Sequence, residues 1–177
     1  MTVAGGEQNN RSERMLRVDQ AGEYGATRIY AGQIAVMGNR APGAAEIAGM
    51  AMQEAAHREV FDAMLIERGV RPTALQPVWS AAGFALGAAT ALLGPEAAMA
   101  CTAAVETEIE RHYTKQLEEL GDDDPELSEH IRTFRDDERA HHAAAIASGA
   151  ERAPAYPLLS GAIRMGCRLA IRLSERI

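Results

Sequence analysis

Cysteine is nearly absent from this sequence: its 177 residues contain two, Cys101 and Cys167. They lie far apart, with neither zinc-type nor Cys-x-x-Cys spacing, which speaks against a thiolate metal site, and the pair reads as reduced thiols of an intracellular protein, with a disulfide as the alternative. Aromatic residues make up 5% and there are seven prolines. β-Branched runs are scarce, which fits strands poorly. Basic residues are outnumbered, 18 Lys and Arg against 25 Asp and Glu, and the resulting net charge of −7 excludes a general nucleic-acid surface. Long apolar runs are missing as well. The longest uncharged stretch, Pro72 to Pro95, is so rich in alanine and glycine that its hydrophobicity is low for a membrane-spanning helix. The leading residues MTVAGGEQNNRS show neither the apolar core of a secretory signal nor the Arg-rich amphipathic pattern of a transit peptide.

What is abundant is alanine, within a hydrophobic content of 47%. That composition suits helices packed closely through small residues. The length fits one domain with a real core, read here as residues 13–177 after a flexible segment, 1–12. Helical periodicity runs throughout and predicts six helices: about Ser12–Met37 with Ser12 as cap, Ala44–Arg68, Trp79–Leu93, Glu96–Leu120, Pro125–Ser148 and Leu158–Arg176. Gly69, Gly94-Pro95 and the GDDDP turn mark their ends. The expected fold is all-α, a four-helix bundle with two accessory helices.

The apolar stripes of the four long helices are each interrupted midway by a carboxylate. The first reads Leu16, Asp19, Glu23, Ala26, Tyr30, Met37, and the second Ile47, Met50, Glu54, His57, Phe61, Met64. The fourth reads Met99, Thr102, Glu106, Ile109, Tyr113, Leu117, and the fifth Leu127, Ile131, Phe134, Glu138, His141, Ala145. Burying an unpaired carboxylate costs several kcal/mol, so four in one core need compensating positive charge. No basic residue on these stripes supplies it; metal cations would.

Glu54/His57 and Glu138/His141 are both Glu-x-x-His pairs, a spacing that puts both side chains on one helical face. One such pair is weak evidence, since most solitary examples face solvent. The register adds weight. Glu23 precedes Glu54 by 31 residues and Glu106 precedes Glu138 by 32, while an arginine and a tyrosine follow at steps of five and seven in both halves (Arg28 and Tyr30; Arg111 and Tyr113). The chain reads as a doubled helix pair, each half giving one Glu and one Glu-x-x-His. Solvated or salt-bridged carboxylates are the competing reading. The ligand set expected is Glu23, Glu54, His57, Glu106, Glu138 and His141, that of carboxylate-bridged di-iron and di-manganese bundles. Mixed oxygen and imidazole donors suit iron or manganese.

His112 and Tyr113 adjoin the Glu106 turn, where either would hydrogen-bond a ligand or line a substrate channel. Tyr30 and Tyr113 are either plain core aromatics or supports for the ligands. Asp19 either supports a metal-bound histidine or pairs with an arginine. His142 is expected off the stripe and His130 on the surface. The last helix carries Arg164, Arg168, Arg172 and Arg176 at four-residue spacing opposite Leu159, Ile163, Cys167 and Ile171. Such a helix either lies at a membrane interface, with arginines at the headgroups, or packs on the bundle as an ordinary amphipathic helix. The third helix, uncharged on every face, favours a surface that meets lipid, a partner or an apolar substrate.

The segments RVDQAGEYGATRIYAGQ, QEAAHREVFDAML, RPTALQPVWSAAGFALGAATALLG, AMACTAAVETEIERHY, FRDDERAHH and APAYPLLSGAIRMGCRLAIRLSER resemble, in order, those of the demethoxyubiquinone hydroxylase family of ubiquinone biosynthesis (the Coq7 family). The resemblance covers almost everything from Arg14 onward and implies a ferritin-like fold. It also implies iron ligands at Glu23, Glu54, His57, Glu106, Glu138 and His141, with Glu54 and Glu138 bridging two Fe ions. Gln20 is a departure, standing where the family is expected to carry histidine. The implied activity is a monooxygenase that uses O2, and electrons ultimately from NADH, to hydroxylate the ring of a polyprenyl benzoquinol. No Gly-x-Gly-x-x-Gly turn marks a nucleotide site. The resemblance further implies peripheral attachment to the cytoplasmic side of a bacterial-type cell membrane. A lipid-binding or biosynthetic-complex partner and a homo-oligomer are left open. The alternatives are a rubrerythrin-like ferroxidase or peroxidase, disfavoured by the missing cysteine pairs, and a non-enzymatic iron-binding, membrane-associated protein.

Overall fold

The computed structural model of the chain describes residues 3–176, with side chains for residue 8 and for residues 10–176. It contains six α-helices: α1 Val3–Met37, α2 Ala44–Arg68, α3 Gln76–Leu92, α4 Pro95–Leu120, α5 Pro125–Ala147 and α6 Tyr156–Ser174, with a short 3-10 turn at Ala150–Arg152 before α6. No strand occurs among the described residues. Local chemistry sets several boundaries. α2 ends where Gly69 turns left-handed at φ 65°, and the Val70 N–H closes back on Leu65 O at 2.9 Å. α5 starts at Pro125, with the Asp124 side chain accepting from the Leu127 N–H at 3.2 Å.

The first helix departs from the expected boundary. It begins at Val3 rather than Ser12, and Ser12 lies buried within it instead of capping it. Tertiary contacts account for the extension: Gln8 donates to Asp123 at 2.9 Å and Arg11 forms an ion pair with the same carboxylate, both anchoring the added turns to the loop after α4. Residues 1 and 2 of the segment expected to be flexible lie outside the described residues. The remaining ends agree with the sequence to within three residues.

α1 packs against α2 and α4 against α5, while α1–α4 and α2–α5 contacts close the ring of four long helices. Its apolar interior falls into two clusters. One contains Leu16, Phe61, Leu65, Ile109, Tyr113, Leu120, Leu127 and Phe134. The other contains Ala26, Tyr30, Ile47, Met50, Met99, Ala103 and Ala145. Each fully buried large apolar side chain adds roughly 1.5–3 kcal/mol. On α2 and α5 the stripe passes from one cluster to the other at Glu54 and Glu138, whereas α1 and α4 feed both clusters around Glu23 and Glu106, so the four carboxylates sit where the two clusters meet.

α3 lies along α1 at a separation only glycine permits. A Cβ at Gly32 would stand 2.2 Å from Phe84 O, and one at Gly87 would stand 1.9 Å from Ile29 O. Away from this contact Val78, Leu92 and the following Leu93 are exposed, while Phe84 is half covered by the Arg28 guanidinium of α1 over its ring. No described helix is long and apolar enough to cross a membrane.

α6 packs on α4, and here the expected orientation needs correction. Arg164 and Arg168 turn inward: their guanidinium groups donate to Glu108 Oε1 at 2.7 and 3.2 Å, and Glu108 is 2% exposed. The outward stripe of α6 is therefore apolar as far as Leu169, with Leu158, Met165 and Leu169 exposed at 75%, 65% and 56%, and it ends at exposed Arg172. The sequence shows the arginine spacing but not the buried carboxylate on another helix that draws two of them in. Cys101 and Cys167 are both free thiols, and burial pushes each up to about 12, which keeps them protonated.

Candidate metal centre

The six expected ligands converge. Glu23, Glu54, Glu106 and Glu138 are fully buried, and His57 and His141 nearly so. Their donor atoms form two groups, each with all atoms within 4.8 Å of one another: Glu23, Glu54, His57 and Glu138, and Glu54, Glu106, Glu138 and His141. Glu54 and Glu138 belong to both. This is the arrangement needed to hold two cations side by side with two carboxylates shared.

Eight buried donor atoms here lack a hydrogen-bond partner: both oxygens of Glu54 and of Glu138, Glu23 Oε2, Glu106 Oε2, and the Nδ1 atoms of His57 and His141. They do approach one another. His57 Nδ1 lies 3.5 Å from Glu138 and 3.7 Å from Glu23, and His141 Nδ1 lies 3.1 Å from Glu54 and 3.6 Å from Glu138. Orphaned lone pairs aimed at a common centre are costly unless a cation satisfies them, so the residues present fit a pair of divalent ions. Oxygen and imidazole donors without thiolate suit iron or manganese.

Electrostatics without metal point the same way. Burial, reinforced by neighbouring carboxylates, pushes Glu54 and Glu106 well above the ordinary range. Burial also raises Glu138, despite the opposing effect of His57. For His57, burial lowers the pKa, but the Glu138 and Glu23 carboxylates outweigh it and lift it to about 10. His141 is lowered by burial.

The surrounding shell follows the doubled register. Tyr30 O–H donates to Glu106 Oε1 at 2.5 Å, and Tyr113 O–H donates to Glu23 Oε1. These tyrosines hold the two carboxylates that belong to only one group each. The His57 ring stacks on Phe134 at 4.0 Å, and Phe61 packs edge-on against Phe134. His112 does not reach the six-residue cluster. Its Nε2 faces buried Asp19 at 3.4 Å, so Asp19 pairs with His112, neither with a metal-side histidine nor with an arginine. Gln20, the departure noted in the sequence, donates to Asp62 of α2 at 2.8 Å. His142 is half-buried outside both groups, and His130, expected on the surface, is half-buried beside Phe134.

Two residues escaped the sequence reading. His57 Nε2 meets Asp137 Oδ2 at 3.1 Å, and His141 Nε2 meets Gln53 Oε1 at 2.9 Å. Each partner immediately precedes the glutamate of the other helix's Glu-x-x-His pair. A signal existed, since Gln53 and Asp137 stand four residues before His57 and His141. That spacing suggests pairing within one helix, whereas the structure pairs them crosswise.

Fold and site together define a helical protein with a buried carboxylate–histidine cradle of the di-metal type. The family model described as "Ubiquinone biosynthesis protein COQ7" matches residues 10–174. The chain belongs to this family. It is 53% identical over 165 residues to a Rhodospirillum rubrum protein named 3-demethoxyubiquinol 3-hydroxylase, covering 93% of this chain and 78% of that one. It is 51% identical over 169 residues to the Homo sapiens NADPH-dependent 3-demethoxyubiquinone 3-hydroxylase, mitochondrial, covering 93% and 77%. The Saccharomyces cerevisiae 5-demethoxyubiquinone hydroxylase, mitochondrial, is 41% identical over 181 residues, with 93% and 78% covered.

Proposed function

We propose that this chain is a di-iron monooxygenase with a ferritin-like four-helix bundle, hydroxylating the ring of demethoxyubiquinol, a 2-polyprenyl-3-methyl-6-methoxy-1,4-benzoquinol. The observation that carries the reading is the pair of four-residue groups sharing Glu54 and Glu138 at the centre of the bundle. Bound as a ferrous pair, the metals would supply open coordination positions and electrons to activate O2, so that one oxygen atom enters a ring C–H and the other leaves as water with two electrons and two protons.

The protein's part is to hold that pair dry and oriented. Glu54 and Glu138 would bridge, Glu23 with His57 and Glu106 with His141 would complete the two positions, and the apolar clusters on either side exclude water. Tyr113 and Tyr30 keep Glu23 and Glu106 from rotating. Electrons would come ultimately from a reduced nicotinamide. The sequence resemblance implies NADH, whereas the name of the human relative specifies NADPH.

The outward faces of α3 and α6 form the membrane-attachment surface in this reading. Attachment is peripheral, on the cytoplasmic side of the cell membrane, through Val78, Phe84, Leu92, Leu158, Met165 and Leu169 rather than through the inward-turned arginines. A lipid-tailed quinol then reaches the site without leaving the apolar phase.

The test is anaerobic reconstitution with ferrous iron, followed by O2, reduced nicotinamide and demethoxyubiquinone. Hydroxylated quinone from a protein that binds two iron ions supports the reading; undiminished product from Glu138→Ala overturns the site. Unchanged liposome binding by a Leu158→Ser, Met165→Ser, Leu169→Ser triple variant overturns the membrane face.

A further inference from the structure

The two metal positions are built alike in every direct donor. Each has three carboxylates and one histidine Nδ1, and each unshared carboxylate accepts a tyrosine O–H. They differ in what holds the far side of the histidine. A carboxylate can only accept, so Asp137 fixes a proton on His57 Nε2, and Nδ1, which faces Glu23 and Glu138, is the nitrogen that gives up its proton to bind an ion. Gln53 Oε1 does the same for His141, but with a neutral amide. Asp137 is 38% exposed, and among the described residues its only ion pair is with His57, so no arginine neutralises it.

An anionic acceptor on the distal N–H draws that proton outward and makes the opposite nitrogen a stronger donor, more than an amide does. We propose that Asp137 and Gln53 make the two positions unequal, so that a divalent ion enters the Glu23/Glu54/His57/Glu138 position first and is held there more tightly than at the Glu54/Glu106/Glu138/His141 position. Asp137 and Gln53 act here as positioning residues, since both work only through the imidazoles. The inference rests on the di-metal reading but not on the identity of the substrate.

The experiment follows the imidazole nitrogens by long-range 1H–15N spectroscopy while Zn(II), a redox-silent probe, is added to the full metal-free chain. In the native protein the His57 resonances shift with the first equivalent and those of His141 with the second. Asp137→Asn, which keeps a hydrogen-bond acceptor, weakens the first step about tenfold in chelator competition and erases or inverts the order. Gln53→Glu tightens the second step. The amide spectrum of each metal-free variant checks that the bundle is intact. His141 responding first, or an unchanged order in both variants, overturns the inference while leaving the metal centre standing. Binding of fewer than two ions by the native chain overturns the metal centre itself, and this inference with it.

Discussion

Tyr30 of α1 donates its O–H to Glu106 of α4 at 2.5 Å, and the reciprocal bond runs from Tyr113 of α4 to Glu23 of α1. In each half the tyrosine stands seven residues beyond its own glutamate and serves the glutamate of the other half. The two helices therefore hold each other's buried glutamates. Burial is the first cause of the raised pKa of both tyrosines, reinforced by adjacent carboxylates, so both remain protonated donors.

Tyr30→Phe and Tyr113→Phe should consequently weaken divalent-metal binding to a similar extent. A charged acceptor that loses its donor in a buried site costs about 1–3 kcal/mol, or roughly five- to 150-fold in affinity. Chelator competition with Mn(II) measures both variants. A loss confined to one of them would show that the doubled register is a feature of sequence without mechanical consequence.

The metal-free protein should become less stable as pH rises. Glu54 and Glu106 have folded pKa values well above the ordinary 4.5, so the stability they contribute is complete below that value and lost as pH climbs through the raised values. His57 acts in the same direction: its contribution is complete below 6.5 and lost as pH passes about 10. Glu54→Gln, a neutral isostere, should raise the melting temperature of the metal-free protein at neutral pH by several degrees. It should also flatten the pH dependence and remove most of the gain seen on adding metal. Calorimetry with chelator and with Mn(II) reads all three effects.

The α1–α3 contact predicts opposite outcomes for one substitution at two glycines. Gly87→Ala places a methyl group against the Ile29 carbonyl and should destabilise by about 1–3 kcal/mol, forcing α3 away from α1. At Gly49, exposed within α2, a Cβ meets nothing within 4 Å, and Gly49→Ala should stabilise by about 0.5–1 kcal/mol. Urea denaturation of the two variants in parallel is the check.

Removing the anchor of α6 should loosen that helix alone. Glu108→Gln leaves Arg164 and Arg168 facing a neutral group. Both arginines are 38% exposed and regain water, so the loss should be about 1 kcal/mol, well below that of a fully buried pair. Hydrogen exchange should quicken over Tyr156–Ser174 while the amides around Glu23 and Glu54 keep their protection.

The sequence by itself determined the helices and the six polar residues that converge in the core. A helix repeats every 3.6 residues whatever it packs against, so the apolar stripes could be read without knowing their neighbours. Carboxylates on those stripes were bound to meet in the core, which is why Glu23, Glu54, His57, Glu106, Glu138 and His141 were legible together. The ends of α2 were equally local, set at Arg68 by Gly69. Tertiary structure alone decided what meets across helices. The crosswise partners Asp137 and Gln53, the inward turn of Arg164 and Arg168 onto Glu108, the Asp19–His112 pair and the early start of α1 all depend on the rotation and axial offset of one helix against another. Periodicity places a side chain on a face. Only packing assigns it a partner, because that requires the relative position of two helices, and neither helix encodes it alone.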